Sequence, residues 1–222
     1  MWRDATLVAG RDLRVEARSR VTAHQVVPFA LLVLVLFAFA LDPDRGILER
    51  ATPGLYWMTV LFSALAALAR SAALEEADGV RDAVRLSALE PAGVFAGKAL
   101  AVAVELVALE VVLGAAVVVL YGAEPAGIGL LAATAAAATV AVASAGTLYA
   151  ALVSGLRARE TLLPLLLLPV LAPVLIGATR AFESALADDP VAGWPWCGLL
   201  AAFAFVYSVA GALAYGTLLE GT

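Results

Sequence analysis

Histidine and cysteine are nearly absent from this chain. One histidine, His24, and one cysteine, Cys197, stand in 222 residues. A lone cysteine excludes an intramolecular disulfide framework and any multi-cysteine metal site. A lone histidine excludes a His-pair site. Charge is scarce too: 15% of residues are Asp, Glu, Lys or Arg, against about 25% in an ordinary soluble domain. Fourteen basic against nineteen acidic residues leave a net charge of −5. No basic face is offered to a phosphate backbone, so nucleic acid is not expected as a partner. There is no P-loop, so the chain cannot hydrolyse ATP itself. There is no H-E-x-x-H and no G-x-S-x-G. A soluble enzyme and a nucleic-acid binder are set aside on these grounds, and an apolar content of 63% sets aside disorder.

What the chain has in abundance is long apolar runs, with a mean hydropathy of +0.96. In lipid every backbone N–H and C=O must be satisfied within the segment, which forces helix. Six runs have the length to cross: Val26–Leu41, Gly54–Leu74, Ala99–Tyr121, Ala126–Val153, Thr161–Thr179 and Pro195–Leu219. Asp42-Pro43-Asp44 closes the first and Thr52-Pro53-Gly54 opens the second. Gly122–Pro125 and Ser154–Glu160 read as tight turns. The expected fold is all-α: a polytopic membrane protein with six transmembrane helices, an N-terminal amphipathic interfacial helix and a short cytoplasmic coupling helix. It forms one domain over 1–222, with 1–25 and 75–98 as its cytoplasmic segments.

Lys and Arg orient the spans. With the N-terminus inside, the inner segments hold Arg3, Arg11, Arg14, Arg18, Arg20, Arg70, Arg81, Arg85, Lys98, Arg157 and Arg159, and the outer ones Arg45, Arg50 and Arg180. Both termini are therefore expected in the cytoplasm. Trp57, Tyr121, Trp194 and Trp196 fall near outer ends, where an aromatic belt is favoured. Ala38-Phe39-Ala40 has the small-x-small form of a cleavage site. The long mixed-charge leader and the five later spans instead make the first span an uncleaved anchor.

Two cytoplasmic segments carry pattern. At about 100° per residue, Arg11, Arg14 and Arg18 share a stripe opposite Trp2, Ala5, Ala9, Leu13 and Ala17, as in a basic amphipathic helix on the inner membrane surface. It reads as an orientation anchor, as a docking surface for a cytosolic partner, or as both. Residues 75–98 contain Glu75, Glu76, Asp78, Gly79, Arg81, Asp82 and Arg85. Val80, Ala83 and Val84 recur at helical spacing between Gly79 and Pro91. By pattern alone this is a solvated loop before it is a lever.

Ionisable groups inside spans are functional candidates. Glu105 and Glu110 lie about 140° apart on the third span and do not share a face. Arg70 and Glu105 lie near the cytoplasmic ends of antiparallel spans, and an ion pair between them is expected. Glu110 has no evident partner. It reads as a neutral carboxyl hydrogen-bonded within the bundle, ahead of a proton or substrate contact. On the fifth span Pro169 and Pro173 interrupt the ladder twice and free the carbonyls of Leu165 and Pro169, so a kinked helix is expected. The small residues from Ala132 to Gly146 make the fourth span a close-packing helix. His24 and Cys197 lie near opposite ends of their spans, and this chain is not expected to bind haem.

Four stretches carry a resemblance. Arg11-Asp12-Leu13-Arg14-Val15-Glu16-Ala17-Arg18 is similar to an "ELR-x-E-x-R" opening. Thr52-Pro53-Gly54-Leu55-Tyr56-Trp57 is similar to "APG-x-x-W", and Asp78-Gly79-Val80-Arg81-Asp82 to "DG-x-x-E". Leu168-Pro169-Val170-Leu171-Ala172-Pro173-Val174-Leu175-Ile176 is similar to "LP-x-x-x-P-LLI". The chain resembles the CcmB family, the permease subunits of the bacterial cytochrome c maturation (haem exporter) ABC complex. The resemblance implies an ABC-2-type, non-catalytic, multi-pass subunit of the bacterial inner membrane, present as two copies per complex. Its implied partners are an ATP-binding subunit, CcmA, together with CcmC, CcmD and the haem chaperone CcmE. ATP would be bound by CcmA and haem handled by the complex, with no cofactor or metal on this chain. Glu75, Glu76, Asp78, Gly79, Arg81, Asp82 and Arg85 would couple to the ATPase, supported by Arg11, Arg14 and Arg18. A generic ABC-2 exporter of a lipid or drug is the alternative. An intramembrane enzyme or proton carrier using Glu105 or Glu110 is a third reading.

Overall fold

The computed structural model describes residues 1–20, 22–41, 45–77, 89–123, 125–154, 156, 159–187 and 190–220. Among them are seven α-helices and no strand. They are α1 (Trp2–Ser19), α2 (Val27–Leu41), α3 (Arg45–Ala77), α4 (Pro91–Tyr121), α5 (Ile128–Val153), α6 (Arg159–Leu186) and α7 (Trp194–Glu220). A π-helical turn, Thr22–Val26, leads into α2, and a 3₁₀ turn, Pro190–Gly193, leads into α7. Six of the helical stretches are long and apolar enough to cross a bilayer.

The spans correspond to the six apolar runs, but three of the helices extend beyond those runs. Pro53 does not open α3; it lies inside it. The Thr52 hydroxyl donates to the Leu48 carbonyl at 2.8 Å, and the helix continues outward to Arg45. α4 begins at Pro91 rather than Ala99, with Glu90 extended before it. Proline at the first helical position lacks only an N–H that would be unpaired there anyway. Lys98, expected in the loop, is therefore a buried helical residue. α6 continues past Thr179 to Leu186, and Arg180 pairs with Glu183 at 2.9 Å within that extension. At 31 residues, α4 is about 46 Å long, half again the hydrocarbon thickness of about 30 Å.

α5 sits among α3, α4, α6 and α7. Every residue from Ala141 to Leu148 is buried, as its small side chains require. Gly146 of α5 seats Leu68 of α3, and Gly211 of α7 seats the ring of Phe95 from α4. α2 is peripheral: Ala30 and Leu34 are its buried residues, and it packs against α3 and α4. α6 turns Leu163, Leu167, Leu171, Val174, Ala178 and Ala181 inward. Pro169 is on its exposed side and Leu165 is 63% exposed, so the two freed carbonyls are on the outer side of the bundle. α6 is nonetheless helical throughout all three prolines.

Two aromatic expectations are corrected. Trp57 is 1% exposed and packs edge-on to Tyr56 and Phe182, so it is core and not belt. Tyr121 is also buried, and its hydroxyl donates to the Leu34 carbonyl at 2.9 Å. The run around Trp57 lies inside α3, which faces the centre of the bundle. Trp194 and Trp196 do remain exposed.

Candidate functional site

The N-terminal helix forms as an amphipathic helix, but its apolar side meets protein instead of lipid. Ala5, Val8 and Ala9 are buried while Trp2 is 75% exposed. The covering surface is the first half of α4. A Cβ built on Gly93 would lie 2.9 Å from the Met1 carbonyl oxygen, and one built on Gly97 would lie 2.6 Å from that of Ala5. Successive turns of α1 thus meet successive turns of α4 in the same chain sense. Gly93-x-x-x-Gly97 supplies the groove that lets the backbones approach. The seam is closed at its start by charge. The Met1 ammonium lies 2.7 Å from Glu90 and 3.4 Å from Asp4, and the Glu90 N–H donates to Asp4 Oδ2 at 3.3 Å. The hydrogen bond it donates to Glu90 raises the ammonium's pKa above its ordinary 8.0. Arg11, Arg14 and Arg18 are exposed and face away from α4. Arg11 bonds Asp12 Oδ1, and Arg14 Nε donates to the Gly10 carbonyl.

At the far end of the seam three helices meet in one charged cluster. Arg70 of α3 lies 3.2 Å from Glu105 of α4 and 3.3 Å from Glu16 of α1. All three side chains are less than one-fifth exposed. A guanidinium with five N–H donors can serve two carboxylates at once. The pairing of Arg70 with Glu105 was expected from their depth on antiparallel spans. Glu16 was missed, although an acid on the same stripe as Ala5 and Ala9 was the available signal. The cluster fixes α1 to the α3–α4 pair about four turns along α4.

The expected coupling residues fall differently. Glu75 and Glu76 lie in the last turn of α3. Asp78, Gly79, Arg81, Asp82 and Arg85 lie outside the described residues. The segment that holds them leaves the end of α3 and returns at Glu90, where α4 and α1 are clamped together.

Deeper in the membrane, Glu110 is buried and does have a partner: the Thr139 hydroxyl of α5 donates to its Oε1 at 2.6 Å. The Tyr56 hydroxyl donates to the Glu110 backbone carbonyl at 3.2 Å. Glu110 lines a cavity of about 460 Å³ between α4, α5 and the end of α6. Among the described residues no group of three or more His, Cys, Asp or Glu side chains is placed to hold a metal ion. Cys197 packs with Leu130 and Ala185 as a small apolar side chain.

The sequence profile of the CcmB protein family matches residues 3–220, from the first turn of α1 to the last of α7. The chain belongs to the CcmB family. Several curated relatives carry the name "Heme exporter protein B". That of Paracoccus denitrificans is 35% identical over 184 residues, 82% of this chain and 84% of its own. That of Bradyrhizobium diazoefficiens is 31% identical over 208 residues, 92% of this chain and 91% of its own. That of Haemophilus influenzae is 30% identical over 184 residues, 82% of this chain and 83% of its own. The CcmB match embraces the α1–α4 seam, the Glu16–Arg70–Glu105 cluster and both prolines, Pro169 and Pro173, within a multi-pass membrane protein.

Proposed function

We propose that the chain is the permease subunit of an ABC-type haem exporter of the bacterial inner membrane, acting in cytochrome c maturation. The match of residues 3–220 to the CcmB family, with relatives named heme exporter protein B along most of their length, carries this reading. The subunit contributes no nucleotide site and performs no chemistry on its cargo. It takes work from a separate ATP-binding subunit of the CcmA kind on its cytoplasmic side. CcmC, CcmD and the haem chaperone CcmE complete the assembly around two permease copies, and release of haem-loaded CcmE is the output. Both termini are cytoplasmic, and 1–222 acts as one ABC-2-type permease domain.

The α1–α4 seam supports a docking role for the segment between α3 and α4. That segment ends at Glu90, where α1 is clamped, and Arg11, Arg14 and Arg18 stay free of the seam on the outer side of α1. A push delivered to the segment reaches three helices at once. Co-expression with candidate partners, followed by pull-down and an ATPase assay, tests the reading. Asp78, Gly79 and Asp82 are to be replaced singly. Loss of coupling between ATPase rate and CcmE release is expected while the complex still assembles. Unchanged coupling in all three variants would remove the lever from the mechanism. Failure to retain any ATPase subunit would remove the permease reading itself.

A further inference from the structure

A buried carboxyl is a costly thing to place beside lipid unless something bonds it. Glu110 is 6% exposed, and its Oε1 accepts from Thr139. Its other oxygen, Oε2, has no hydrogen-bond partner among the described residues. The residue lines a groove whose remaining surface is almost wholly apolar. Tyr56 and Phe182, stacked at 4.8 Å between centroids, form one wall. Gly114, Ala132 and Ala136 keep the opposite side shallow. At about 460 Å³ the volume is that of a small-molecule site, about 300–1,000 Å³, and far below that of a packed helix. Glu110 is eleven residues from the outer end of α4 at Tyr121, or about 16 Å, close to the bilayer midplane.

We propose that this groove is a binding site, reached from within the bilayer, for a membrane-dissolved amphiphile that carries an amine or hydroxyl and donates to Glu110 Oε2. The apolar body lies against Tyr56 and Phe182, and the donor bonds Glu110, the one carboxyl among the groove's lining residues. A bare hydrocarbon leaves Oε2 unbonded and is therefore not the preferred occupant. The site is separate from the cytoplasmic cluster at Arg70 and does not depend on the transport reading.

A carbodiimide gives a direct test. Dicyclohexylcarbodiimide is apolar and adds a carboxylic acid across one C=N bond. The acid proton goes to nitrogen, and the O-acylisourea rearranges to a stable N-acylurea with no leaving group. The full chain in phospholipid nanodiscs is to be treated and mapped by mass spectrometry. The expected adduct is at Glu110, with Glu105, held by Arg70, at least ten-fold slower. Dodecylamine added beforehand should slow labelling of Glu110 several-fold, and an equal membrane concentration of dodecane should not. Thr139→Val keeps the groove and should still label. Absence of the adduct in the folded wild-type chain would overturn the proposal, and so would equal protection by dodecane.

Discussion

Single side chains tie this protein together across its helices, and their partners set what each substitution does. Arg70 is shared by Glu16 and Glu105. Arg70→Met leaves two carboxylates facing each other, and losing one side of a mostly buried charge cluster costs on the order of 3 kcal/mol. Glu105→Gln leaves the Glu16–Arg70 pair in place and should cost about 1 kcal/mol. Thermal unfolding in nanodiscs should therefore rank Arg70→Met as the worse of the two, and the opposite order would contradict a shared guanidinium. Reversing both charges, Arg70→Glu with Glu105→Arg, should recover only part of the loss, because Glu16 then faces an acid at position 70. The threonines of α5 make a second contrast. Thr139→Val strips Glu110 of its donor and should destabilise by about 1–3 kcal/mol. Thr134 Oγ1 is buried without a hydrogen-bond partner, so Thr134→Val should be neutral or slightly stabilising in the same assay. Of these contacts, Arg70 with Glu105 was legible from sequence because depth along antiparallel spans is a simple count. Glu110 with Thr139 was not, because nothing in a single apolar run says which face of which neighbour it meets.

Helices carry the next level of meaning. The six spans could be read from hydropathy because lipid admits no other structure for so apolar a run. Their ends could not, because hydropathy registers where lipid stops and not where the helix does. Pro91–Lys98, Arg45–Pro53 and Arg180–Leu186 are all helical and all lie outside the apolar runs or at their margins. The partner of α1 was hidden for another reason: an apolar stripe looks the same whether lipid or protein covers it. Gly93-x-x-x-Gly97 was the sequence mark of that partner. Gly97→Leu should drive α1 off α4, since even a Cβ would sit 2.6 Å from the Ala5 carbonyl. Trypsin should then cut at Arg11, Arg14 or Arg18 several-fold faster than in the parent chain, while cutting elsewhere stays the same. In α6, Pro169 lies on the exposed side. Pro169→Ala restores an N–H to the Leu165 carbonyl and should raise the unfolding temperature. A lowered temperature would show that the proline is required by packing.

At the scale of the whole molecule, one topology underlies the functional reading. If both termini and the 75–90 segment are cytoplasmic, single cysteines placed in a Cys197→Ser background near residues 3, 85 and 220 should react with an impermeant maleimide only in inside-out vesicles. A cysteine in place of the exposed Val191 should react only in right-side-out ones. Reaction of position 85 from outside would end the ATPase-docking proposal. The expected orientation rests on arginine placement alone, and this labelling is its test. The contact that flanks Glu90, α1 against α4, was not legible, because an apolar stripe does not name what covers it.

That flanking contact has a mechanical result. With α1 splinted to α4 by paired glycine notches and pinned again at Arg70, the two helices form a doubled rod. Such a rod bends far less than either half alone. A displacement applied at the Glu90 end would therefore tilt the pair as a unit, without being absorbed by flexing of a single helix.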